Sequence, residues 1–325
     1  MGRKLHVGIE HDGVRIGERL GVSFHRTLRI PDDGSTYPLP PGLGRLPVVS
    51  MGRRRKHPSL VIPLRQREAM WIGFSGAAWK PNALKILVGG INAVSGGRDG
   101  GERLNLPQDY LVCPDQPWLD GFNAGNGTIR QFVAMPLGAG YAVEAAQGGP
   151  EEGGIKLVAF EPRSGRFPDV PPAKPSTPER TMSMAARMGL GAGGRMRQRI
   201  YPDPYGYDAW DQDWRGEVEL QIVNSERFSE LTGEEPPPTP IEFETYIAHG
   251  LPWFDLYDEE RGTLARPEGS RLKTIAERDA ERGVPGADAV TVVPPEAVRT
   301  IVRPEPRGRR TAQHVAKTRE KRKPD

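Results

Sequence analysis

Glycine and proline break this chain so often that they limit what it can fold into. Its 325 residues include 40 glycines and 33 prolines, roughly twice the usual share. Glycine loses the most backbone freedom on ordering, and proline lacks the N–H that helices and ladders use. Long helices are therefore disfavoured, and short elements joined by turns are expected. Between the breaks lie short alternating runs: Val7 and Ile9, Val14 and Ile16, Val22 and Phe24, Leu28 and Ile30. Alternation is the period of a half-buried strand. Asp12-Gly13, between two such runs, predicts a hairpin turn. Further strands are predicted at 84–88, 91–94, 110–113, 129–135, 141–145, 155–160, 217–223 and 241–247. Segment 31–49 reads as irregular because of its prolines. Asn224 or Ser225 caps a predicted helix that runs to Leu231 and stops at Gly233, and residues 270–282 predict another that ends at Gly283. The fold class is mainly β, sandwich- or barrel-like, with long Gly/Pro-rich loops and one or two short helices.

Composition then divides the chain. Residues 1–161 read as a β-rich region. Residues 162–199 read as a Pro/Met/Gly-rich linker and loop, and residues 200–283 as a second β-rich segment that could belong to the same unit. Residues 284–325 read as a disordered basic tail. The single cysteine, Cys113, cannot form an internal disulfide, and no apolar run reaches signal-peptide or membrane-span length. These features point to a soluble, cytoplasmic protein with no membrane association.

Four long motifs stand out: CPDQPWLDG at 113–121, IRQFVAMPLG at 129–138, GGRMRQRIYPDPYG at 193–206 and HGLPWFDLYDE at 249–259. Together they resemble a family of uncharacterised bacterial and fungal proteins. The resemblance spans roughly residues 20–285 and implies a true fold, but it carries no activity or residue roles.

No complete catalytic constellation is present in the sequence. The acidic run 201–214 places Asp203, Asp208, Asp211 and Asp213 close together, as an oxygen-ligated divalent cation would need. The simpler reading is a turn region whose Asp side chains bond the backbone. His249 lies near Asp255, Asp258, Glu259 and Glu260, a set suited to acid–base chemistry or, more plainly, to a surface. Cys113, at a strand end, reads as a small buried hydrophobe rather than a nucleophile. The Gly-rich runs 88–101 and 189–199 match no phosphate-binding pattern and read as mobile loops.

Two tetrapeptides repeat a theme. Pro117-Trp118-Leu119-Asp120 and Pro252-Trp253-Phe254-Asp255 each place Trp after Pro with Asp two residues on. Trp118, Asp120, Trp253, Phe254 and Asp255 are therefore the candidate binding surface, because Trp supplies a large amphipathic contact area. The expectation is a non-enzymatic protein-binding or assembly module that presents loops 114–127, 189–212 and 249–260 to a partner or to copies of itself, with no cofactor beyond a possible divalent cation. One alternative is a carboxylate- and possibly metal-dependent hydrolase that uses Asp120, Asp211, Asp213, His249 and Asp255. The other is nucleic-acid association through Arg309, Arg310, Lys317, Lys321, Arg322 and Lys323 of the tail, where a Lys/Arg run gives salt-dependent affinity.

Overall fold

The structure, a computed structural model, describes residues 3–10, 12–54, 57–148, 152–170, 189–233, 235–257, 261–266, 272–284 and 293–302. Its first strands are β1 (Arg3–Lys4), β2 (Val7–Glu10), β3 (Gly13–Ile16), β4 (Leu20–Thr27), β5 (Thr36–Tyr37), β6 (Gly42–Leu46) and β7 (Val49–Arg54). Next come β8 (His57–Pro63), β9 (Ala69–Ser75), β10 (Asn82–Val88), β11 (Ile91–Asn92), β12 (Leu111–Cys113), β13 (Trp118–Leu119), β14 (Gly121–Gly125) and β15 (Thr128–Met135). After helix α1 (Val143–Ala146) follow β16 (Ile155–Pro162), β17 (Gly189–Arg197) and β18 (Trp210–Val223). Helices α2 (Ser225–Thr232) and α3 (Phe243–Ala248), strand β19 (Trp253–Tyr257), helix α4 (Ile275–Glu281) and strand β20 (Val298–Val302) complete the order.

Among the described residues these strands form two large sheets and one small one. The eight-stranded sheet runs β11-β10-β16-β18-β8-β7, with β1 beside β18 and β12 beside β10. The ten-stranded sheet runs β2-β3-β4-β9-β15-β17-β5, with β13 on β9, β14 on β15 and β6 on β4. β19 and β20 pair in parallel. The inner faces of the two large sheets share one core, in which Val22, Phe24, Ile72 and Phe132 from one sheet meet Leu84, Ile86, Leu157 and Leu220 from the other. This is a mainly-β, sandwich-like fold without a closed barrel. No described helix is long and apolar enough to cross a membrane.

Outer faces are covered in part. On the eight-stranded sheet, Trp210 and Tyr110 pack with Val158 and Phe160. On the ten-stranded sheet, Ile275 of α4 and Tyr141 pack with Val133 and Met135. The outer face of β3, β4 and β9 is left open as a groove.

Several expected elements differ in the structure. Glu10 pairs with Gly13 and closes the first hairpin, so the turn lies one residue before Asp12-Gly13. Within 31–49, β5 pairs with β17, and β6 forms beside β4 between Pro41 and Pro47. Residues 141–145 are not a strand: Val143–Ala146 is helical, after a turn with positive φ at Gly138 and Gly140. Residues 241–247 alternate in sequence, yet Phe243 and Tyr246 are buried one helical turn apart in α3. The stretch 189–199 is not a mobile loop, because Gly189–Arg197 forms β17 between β15 and β5. The stretch 88–101 is packed: Ile91, Asn92, Ala93 and Val94 are buried, and the Asn92 side-chain carbonyl accepts from Val94 and Ser95 N–H groups. Residues 298–302, inside the expected disordered tail, form β20.

Candidate functional site

The groove is built by strand alternation. In β4 the inward residues Leu20, Val22 and Phe24 are buried, so Gly21, Ser23 and His25 face outward. In β9, Met70 and Ile72 point inward while Trp71, Gly73 and Ser75 face outward. The antiparallel register sets Gly21 opposite Ser75, Ser23 opposite Gly73 and His25 opposite Trp71. β3 adds Gly13 opposite Ser23, β6 adds Arg45 opposite His25, and β13 adds Trp118 opposite Gly73. One row across the strands thus reads Gly13, Ser23, Gly73, Trp118, and spans about 14 Å at the usual strand spacing.

Glycines make the floor low. A Cβ on Gly73 would lie 2.9 Å from Ser23 Oγ, 3.0 Å from Trp71 Cζ3 and 3.2 Å from His25 Nε2. The absent side chain is what lets those three groups converge. The resulting groove encloses about 930 Å³, within the usual range for small-ligand sites. Trp71 and Trp118, both half-buried, stand edge to face with ring centroids 6.5 Å apart. His25 stacks on Trp71 at 3.8 Å with the rings nearly parallel. Ser23 Oγ and His25 Nε2 are hydrogen-bonded at 2.8 Å. Burial and then the nearby Arg45 lower the His25 pKa to about 4, so the imidazole is neutral near pH 7.

The remaining rim is charged. Arg15 donates to Glu10 Oε2 from Nε at 2.8 Å and from Nη2 at 2.6 Å. Asp12, only 6% exposed, lines the same groove, and its Oδ1 is buried without a hydrogen-bond partner.

Of the expected binding residues, Trp118 stands in this groove. Asp120 is buried and does not line it. Its backbone N–H donates to Gln198 Oε1 at 2.9 Å, and its Oδ2 accepts from Gln198 Nε2 at 2.6 Å. Burial raises its pKa to about 7, opposed by hydrogen bonds from Gln198 and Trp118. The second tetrapeptide is placed differently. Trp253 is fully buried among Tyr37, Phe243 and Tyr246. Phe254 exchanges backbone hydrogen bonds with Leu39, and Asp255 forms a two-pronged ion pair with Arg197 at 3.0 and 2.9 Å. The two tetrapeptides do not present matching edges.

The acidic run is a cover over the eight-stranded sheet. Asp203 accepts from the Tyr110 hydroxyl at 2.7 Å, Trp210 Nε1 at 2.8 Å and the Tyr205 N–H at 2.8 Å. Asp211 accepts from the Asp213 N–H at 2.9 Å, Asp208 is exposed, and Asp213 lies 3.8 Å from Arg103. Among the described residues no group of three or more His, Cys, Asp or Glu side chains could hold a metal ion. His249 is exposed, with Nδ1 2.7 Å from the Thr245 carbonyl oxygen. Cys113 is fully buried, which pushes its thiol pKa well up. Asp258, Glu259, Glu260 and the tail residues Arg309, Arg310, Lys317, Lys321, Arg322 and Lys323 lie outside the described residues.

Sequence reasoning missed Ser23, His25, Trp71 and Gly73. Their signal was the other half of an alternation already noted: the small and polar positions between Val22 and Phe24, and their counterparts in AMWIGFS. No family model, curated protein or solved structure matches this chain.

Proposed function

We propose that this chain is a non-enzymatic binding module whose ligand lies in the groove on the outer face of the ten-stranded sheet, not on the loops. The observation that carries this reading is the outward pattern of strands β3, β4 and β9: glycines along the floor, two tryptophans as one wall and the Ser23–His25 pair between them. Indoles left half-exposed above a glycine floor give a ligand apolar contact without a deep pocket.

Ser23 and His25 invite a hydrolytic reading, which the chemistry disfavours. A general base works best with a pKa near the operating pH and with a third group to orient it. His25 has its pKa near 4, its ring is stacked on Trp71, and among the described residues no carboxylate bonds its other ring nitrogen. The pair is better suited to offering a hydroxyl and an imidazole as hydrogen-bonding groups.

The test fills the floor. In Gly73→Leu the new side chain enters the groove where Ser23, Trp71 and His25 converge, and its neighbours are side chains that can shift. We expect arrays of immobilised oligosaccharides and peptides to retain wild-type protein, and the variant to lose at least about tenfold in affinity with melting temperature preserved. Ligands bound equally well by wild type and Gly73→Leu would refute the site.

A further inference from the structure

We infer that the groove takes an oligosaccharide carrying a free amino group, and that the ammonium sits against Asp12 at the β2–β3 end. The inference rests on the groove being the binding site and specifies its ligand.

The floor of the groove favours a sugar. The backbone N–H and C=O groups of β3, β4 and β9 are engaged in ladders with one another and with β2, β6, β13 and β15. An extended peptide lying there would find no main-chain partners, and peptides that add to sheets take edge strands. A ligand on this face must instead meet side chains. Those presented are the Ser23 and Ser75 hydroxyls, the neutral His25 imidazole and two indoles, with Glu10, Asp12, Arg15 and Arg45 at the rim. This set suits a chain with many small donors and acceptors and with C–H faces to lie on tryptophan.

Asp12 favours an amine. Its side chain is buried and lines the groove, and Oδ1 has no hydrogen-bond donor. An unpaired buried carboxylate is costly to a fold. The nearby guanidinium of Arg15 is bonded to Glu10 Oε2 and donates to the Arg19 carbonyl. A ligand ammonium would give Asp12 the missing partner, in a charge-assisted hydrogen bond. With Trp118 at the far end of the same row, the ligand would lie across the strands, amine at one end and ring face at the other.

The test is calorimetry at mildly acidic pH, where amines are charged, with three probes: a glucosamine hexamer, its fully N-acetylated form and cellohexaose. Wild type is expected to bind the glucosamine hexamer about ten- to a hundredfold more tightly than the other two, the usual worth of a hydrogen bond to a charged group. Asp12→Asn should erase that preference while keeping or raising the melting temperature, since it removes an unpaired charge. Asp12→Ser serves as a second variant. Trp118→Ala should weaken all three probes. Equal affinity for the three hexamers, or a preference that survives in both Asp12 variants, would overturn the ammonium site and leave the groove intact. Failure of all three sugars, with peptide binding that Trp118→Ala abolishes, would overturn the sugar class. Binding insensitive to Trp118→Ala would overturn the groove reading itself.

Discussion

Lys85→Met is expected to destabilise the fold by about 3–5 kcal/mol, the usual cost of removing one partner from a buried ion cluster. Lys85 is fully buried on β10. Its ammonium lies 2.5 Å from Asp99 Oδ2 and 2.8 Å from Asp109 Oδ2, and it also donates to the Arg103 carbonyl. It thereby pins segment 99–109 to the sheet. Asn92 Nδ2 bonds Asp99 at 3.2 Å and the Asp109 carbonyl at 2.9 Å, so the cluster also anchors the turn after β11. Methionine nearly keeps the volume but leaves the buried Asp109 and half-buried Asp99 carboxylates without their cation. Chemical denaturation should show the loss. The triple variant Lys85→Met, Asp99→Asn, Asp109→Asn should recover much of it, because the unpaired charges are then gone. A loss below about 1 kcal/mol in the single variant, the scale of an exposed pair, would mean that the cluster is not a structural pin.

Gly194→Ala is expected to cost about 3 kcal/mol or more, above the usual range for overpacking, because what the new atom meets is backbone. A Cβ there would lie 2.1 Å from the Pro31 carbonyl oxygen and 2.8 Å from Ile30 Cγ1. Gly193 and Gly194 fall where the β15–β17 register shifts, a bulge that lets segment 28–31 approach. Gln131 completes the joint. Its side chain accepts from the Ile30 N–H at 3.1 Å and donates to the Leu28 carbonyl at 2.9 Å. Gly42→Ala is the control, since its nearest neighbours would be Trp71 atoms at 3.7 Å, and its melting temperature should stay close to wild type. Equal stability of the two variants would contradict this account of β17.

The same bulge marks where sequence reasoning failed. A run such as GLGAGGRMR has too few side chains to show a two-residue period, so it reads as a loop, and what requires glycine there is contact with residues distant in sequence, among them Pro31, Val133 and Leu137. The caps of α2 were legible because they are local: Asn224 accepts from the Arg227 N–H, and Gly233 closes the helix with φ of 73°. The second helix, expected from residue 270, instead starts after Thr274, whose side chain forms a capping box with Glu277. Strand β10 and its partner β16 were legible because apolar runs between turns need little else. Helix α3 was misread because IEFETYI fits both periods, and the aromatic cluster with Trp253 decides which is used.

The candidate site was only partly legible. The eye goes to rare residues in dense motifs, and several of those hold the fold together: Asp203 gathers Tyr110, Tyr205 and Trp210, and Asp255 holds Arg197. Trp118 was found because its motif is conspicuous, whereas Asp120 two residues on is tied to Gln198. The rest of the groove comes from ordinary residues, made special by cross-strand register over about 50 residues of sequence, as with Ser23 and Gly73. Register is not printed in either strand alone.

The most direct measurement is fluorine NMR of protein labelled with fluorotryptophan at all six tryptophans, assigned by single substitutions and recorded against pools of oligosaccharides and of peptides. A binding pool is expected to move the Trp71 and Trp118 resonances and to leave those of buried Trp210 and Trp253 unchanged. A pool that binds while Trp71 and Trp118 stay still would contradict the groove as the binding site.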